Sequence, residues 1–167
     1  MATNRFLVVC APMNLPPVTR ALAAGLLTGI TDGTFASVLA VFFFGSSVTR
    51  LFQGVASTVL GASSFEGGTR TAGIGLAMHF GVALGWSFVF LLIASLPAIR
   101  QILASPGGVY KVAAVYGPCI WLVMSLIVIP LLLHRPPTFT VRWLVQWIGH
   151  FPFVGLPIVY TIWRRGN

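Results

Sequence analysis

Residues 109–133 read VYKVAAVYGPCIWLVMSLIVIPLLL, an apolar run interrupted by one charge, Lys111, near its start. A helix rises about 1.5 Å per residue and the hydrocarbon core of a bilayer is about 30 Å thick, so roughly 20 such residues cross it. The run is long enough to cross, and too evenly apolar to be one stripe of a soluble helix. It stops at His134, Arg135, Pro136 and Pro137, two polar residues and two that cannot continue a helix.

Working outward, three more stretches have the same character. One runs from about 21 to 44, entered after Pro16, Pro17 and Arg20; one from about 71 to 96, closed by Pro97 and Arg100; one from about 143 to 163, closed by Arg164 and Arg165. Pro152 and Pro157 each remove an internal hydrogen bond from the last, which is expected to bend there. With 57% hydrophobic residues, 7% charged and a mean hydropathy of +0.94, the composition excludes an ordinary soluble domain. The expected fold is all-α: a polytopic membrane protein with four transmembrane helices in one domain, 21–163, between an N-terminal tail, 1–20, and a basic tail, 164–167.

Between the first two spans, residues 45–68 mix apolar and small polar residues, with Val48, Leu51, Phe52, Val55 and Val59 on one helical face. This predicts a short interfacial or re-entrant helix rather than a crossing one. The net charge of +8 is spread over loops and tails, which suits lipid headgroups and carries no basic stripe for nucleic acid. Arg5, Arg20, Arg100, Lys111, Arg164 and Arg165 fall on the side of the termini; Arg50, Arg70, Arg135 and Arg142, with Glu66, fall on the other. The excess predicts that both termini lie on the cytoplasmic side. Cys10 and Cys119 lie in different settings and suggest neither a disulfide nor a metal site.

Two stripes of small residues repeat every four positions: Gly25, Gly29 and Gly33 in the first span, and Gly73, Ala77, Gly81 and Gly85 in the second. Small residues let helix backbones approach closely in lipid, so the stripes are expected to face one another, another helix or a second copy of the chain.

Chemistry centres on Asp32, in the cluster TGITDGT of residues 28–34 at the middle of the first span. A carboxylate there is costly unless protonated or compensated, by Thr28 or Thr31 for example, and such a group can load and release a proton. His79 enters at comparable depth and suits proton relay. It sits opposite the Gly81 stripe, however, and so points toward Tyr116 or lipid if the stripes join the two spans. Arg50, Glu66, Arg70, His134 and His150 gather on one side as a polar entrance. The expected function is to move or sense a proton or small solute around Asp32 and His79. One alternative is an accessory subunit of a larger membrane complex, with Trp86, Trp121, Trp143, Trp147 and Trp163 as contact surfaces. Another is haem or metal binding through His134 and His150. No paired carboxylates, GxSxG, HExxH or phosphate-binding glycine loop is present, so neither an enzyme nor a resident cofactor is expected.

Three segments, RLFQGVASTVLGASSFEGG (50–68), YGPCIWLVMSLIVIPLLLHRPPTF (116–139) and GHFPFVGLPIVYTIWRR (149–165), resemble small YagU-like bacterial inner-membrane proteins. The resemblance implies a four-span protein with lipids as its surroundings. The family's association with acid tolerance would engage proton-responsive groups such as Asp32, His79 and His150.

Overall fold

A computed structural model describes residues 15–164. Arg5, Cys10 and Arg165, with most of the N-terminal tail, lie outside the described residues. Four helices are long and apolar enough to cross a membrane: α1 (Pro17–Phe43), α3 (Gly68–Ile93), α5 (Gly108–Leu133) and α6 (Val141–Arg164). Each begins and ends within a few residues of its expected span. Between them lie α2 (Val48–Leu60) and α4 (Pro97–Ala104), the latter unmarked by any pattern in the sequence. Among the described residues there is no strand.

Contacts along the helices fix the topology. Gly25 of α1 meets Leu84 of α3, Gly29 meets Phe80 and Gly33 meets His79, so the two run antiparallel. Arg20 donates to the Ile162 carbonyl at 3.0 Å and Thr31 to the Phe153 carbonyl at 2.7 Å, which sets α6 antiparallel to α1 as well. The bundle is therefore up-down-up-down, with Pro17 and Arg164 on one side, here the termini side, and the α1–α2, α2–α3 and α5–α6 connections on the far side. Helix α2 enters and leaves on the far side; its 13 residues span about 20 Å and do not cross.

In α2, Phe52, Gln53 and Ala56 are buried, while Val48 and Val59 are exposed. Gly75 of α3 decides this: a Cβ there would strike the Phe52 carbonyl oxygen, so α2 rests its backbone on that glycine with the small Ala56 beside it. Gln53 Nε2 then donates to the Gly68 carbonyl at 3.0 Å, and Ser64 Oγ to the Gln53 carbonyl at 3.1 Å.

Of the arrangements expected for the small-residue stripes, the first stripe faces another helix and the two stripes do not face one another. Gly25, Gly29 and Gly33 receive the large side chains of Leu84, Phe80 and His79, not the second stripe. Gly73, Ala77, Gly81 and Gly85 face outward, and a Cβ at any of the three glycines would meet nothing. Backbone also meets backbone between α5 and α6, where Gly117 meets His150 and Gly155, and Gly155 meets Ala113 and Gly117.

Proline shapes α6. Around Pro152 the helix widens into a π turn, Phe151–Gly155, with the Leu156 N–H bonded to the Phe151 carbonyl. Pro157 has no N–H to give the Phe153 carbonyl four residues back, and the Thr31 hydroxyl supplies the donor instead. Thr31→Val should therefore destabilise the bundle by about 1 kcal/mol, the usual worth of an interhelical hydrogen bond in a membrane protein. Thermal unfolding in detergent, followed by tryptophan emission, measures it.

The core is not central. Ala24, Phe90, Ala113, Ile158 and Ile162, with their neighbours, pack in the half of the bundle nearest the termini. The far half is where the helices part.

Candidate functional site

In that far half a cavity of about 520 Å³ is enclosed by all four spanning helices and α2. Two polar stripes line it. Thr28 and Asp32 stand one turn apart on α1, and Arg142, Gln146 and His150 stand at successive turns of α6, so that both point inward at helical spacing. His79 joins from α3. Arg142, Thr138 and Thr140 are at the far-side rim, and His150 is about 12 Å deeper along α6 than Arg142. Toward the termini the cavity ends at Thr28, above the packed core containing Ala24 and Ile158.

The deepest chemistry is an acid facing a base. His79 Nδ1 lies 4.0 Å from Asp32 Oδ2, with the two side chains 16% and 17% exposed. His79 Nε2 lies 3.0 Å from the Gly29 carbonyl oxygen, which can only accept, so Nε2 carries the hydrogen. Nδ1 is left as the basic nitrogen, aimed at the carboxyl. At 4.0 Å the two atoms are beyond hydrogen-bond distance, and a small side-chain rotation would bring them within it. The proton can then reside on either partner, as carboxylic acid with neutral imidazole or carboxylate with imidazolium, and both arrangements have zero net charge. Gly33 makes this possible, since a larger residue on α1 would push the imidazole away.

Several polar atoms around the cavity lack a partner within the protein: Asp32 Oδ1, Thr28 Oγ1, Gln146 Oε1, and the indole nitrogens of Trp121 and Trp143. Buried polar groups are rarely left so, and their grouping marks a space that holds water or a polar ligand. His150 is only 7% exposed. Its Nδ1 donates to the Gln146 carbonyl at 2.7 Å, and its ring lies 4.8 Å from that of Trp121.

The expected site residues are thus partly united and partly dispersed. Asp32, His79 and Thr28 share the cavity. Thr31 points to α6 instead. Tyr116 stands apart within the core, its hydroxyl donating to the Trp86 carbonyl at 2.7 Å and its ring against Phe90, because the α5–α6 crossing turns it toward the termini side of α3. Of the expected entrance residues, Arg50, Glu66, Arg70 and His134 are exposed at the far side but do not line the cavity, while His150 is inside it. Arg50 instead covers the ring of Phe65. His134 and His150 therefore occupy different surroundings, and no group of three or more His, Cys, Asp or Glu fit for a metal occurs among the described residues. The sequence reading missed Gln146 and Arg142, although their four-residue spacing from His150 was visible as a polar stripe in an otherwise apolar helix.

No protein-family model matches the chain, and no curated protein or solved structure matches it.

Proposed function

We propose that this four-span membrane protein moves or senses a proton, or a small solute coupled to it, through the far-side cavity that ends at Asp32 and His79. The observation that carries this is the acid–base pair itself: a mid-membrane carboxyl faces a basic ring nitrogen across 4.0 Å in a cavity with unpartnered polar walls. Such groups are costly in a bilayer, and a purely structural tie would use a closed hydrogen bond rather than leave Asp32 Oδ1 free. His150, Gln146 and the rim residues give protons a polar route inward, and the apolar core below Thr28 is the closed gate that a transport cycle would have to open. Kinship with YagU-like proteins, and residence in a bacterial inner membrane with both termini cytoplasmic, agree with this reading and belong to the same proposal.

Purified protein in liposomes containing a pH-sensitive dye is the test. A pH step across the membrane should drive proton movement above the protein-free background, and Asp32→Asn should abolish the increment. An undiminished increment in Asp32→Asn removes the site from the mechanism.

The outward stripe Gly73, Ala77, Gly81 and Gly85 favours a second reading, an accessory subunit or homodimer that buries this stripe against a partner helix. A stoichiometric partner retained in mild detergent, together with no flux in isolation, would select it.

A further inference from the structure

We infer that the cavity takes a lipophilic organic monocation, an amine carried as its ammonium form, in exchange for the proton shared by Asp32 and His79. This deepens the proposed function and rests on it, by naming the class of solute.

Three oxygens along the cavity lack a partner, one of them the carboxylate oxygen of its only acid, beside the indole N–H groups of Trp121 and Trp143. Thr28 is 1% exposed and Gln146 8%, each with an oxygen that meets no partner, and Asp32 Oδ1 adds a third. An ammonium group brings three hydrogens and one positive charge to such a place. Around it the surface is mainly hydrocarbon, from Leu51, Val55 and Val82, with the rings of Trp86 and Trp121 positioned to cover an aromatic or alkyl body and to attract its charge. About 520 Å³ is in the range of small-molecule sites, larger than a proton path needs.

Charge decides between a cation and an anion. The titratable and charged groups facing the cavity are Asp32 from α1, His79 from α3, and Arg142 and His150 from α6; α2 and α5 contribute none. Arg142 is the only permanent cation of the four, and it sits at the rim with its guanidinium 5.1 Å from the centre of the Phe44 ring. An anion would be held there, and on going deeper would meet the carboxylate. Trp121 and Trp143 leave indole N–H groups free on this route, which water can satisfy.

The exchange balances. With Nε2 of His79 bound to the Gly29 carbonyl, the acid and the ring share one proton at zero net charge. When an ammonium ion settles against the carboxylate, the shared proton leaves through the far-side opening to water, and the ring becomes neutral. One cation enters and one proton departs, so the buried site stays neutral throughout.

The test uses three molecules of nearly equal shape: 3-phenylpropylamine, 3-phenylpropanol and 3-phenylpropionate. The full chain in lipid nanodiscs is titrated with each, following tryptophan emission and, in weakly buffered solution, released acid. The amine should bind best, release about one proton per molecule, and lose about tenfold in affinity for each pH unit lowered while the pair holds its proton, as mass action requires of a one-for-one exchange. Asp32→Asn should weaken amine binding at least tenfold, and Asp32→Glu should restore it. Equal binding of the alcohol, preferential binding of the carboxylate, or pH-independent amine binding overturns the inference, and the last needs no variant. If the amine fails while Asp32-dependent proton flux persists, the solute class falls and the proton site stands. If the amine binds through Asp32 but no flux occurs, transport falls and the ligand stands.

Discussion

Gly117→Val is expected to destabilise the bundle by about 3 kcal/mol or more, while Gly81→Val leaves it within about 0.5 kcal/mol of wild type. Both are glycines inside membrane-spanning helices, and both substitutions add the same atoms. At Gly117 the first added carbon would strike the His150 carbonyl oxygen and lie 2.9 Å from the Gly155 nitrogen. These are backbone atoms of α6, so no side-chain rotation relieves the clash. Relief requires α5 and α6 to separate, which exposes the crossing and displaces His150 from the cavity wall. At Gly81 the added carbon points into open space beside the protein. Thermal unfolding in detergent, read by the loss of native tryptophan emission, compares them directly. A neutral Gly117→Val would mean that α5 and α6 do not cross here. A disruptive Gly81→Val would mean that the outward stripe is an occupied interface.

The second large effect is on proton movement. His79→Gln should reduce pH-driven flux about a hundredfold, the lower end of what a positioned proton-transfer group supplies, and leave the fold intact. Glutamine places an amide N–H close to where Nε2 donates to the Gly29 carbonyl, so the contact between α1 and α3 survives. It offers no basic nitrogen in place of Nδ1, so Asp32 loses its proton partner. Asp32→Asn removes the other half, and the double variant should be no worse than Asp32→Asn alone, because both changes break the same transfer. Additive losses would show that the two residues act separately. A third measurement separates relay from packing: His79→Phe fills the same space against Gly33 without a donor, and should match the glutamine variant in flux while losing some stability.

Much of this protein was legible before any folding was considered, and the limits of that legibility are physical. Length and hydropathy located all four spans to within a few residues, because a bilayer demands a fixed length of apolar helix. Residues 48–60 read correctly as a helix too short and too polar to cross. Asp32 stood out by the cost of a carboxyl at that depth. The stripes misled. A run of glycines states only that something comes close, and a large side chain fills the space as well as a second backbone does. In α1 the occupants are Leu84, Phe80 and His79, which brings His79 to Asp32 rather than to Tyr116.

The order of residues sufficed for the number of crossings, the side on which each loop lies relative to the termini, and the depth of the mid-membrane acid Asp32. Packing of the helices was needed to show which faces meet, that His150 and Gln146 share a cavity with Asp32 and His79, and that this cavity stops above an apolar core. The reason is the solvent. In water, the apolar stripe of a helix declares its inner face, but in lipid both faces are apolar, and partners are chosen by shape and by the few polar groups that must be satisfied. Those choices depend on side chains from distant parts of the chain, and no local pattern records them.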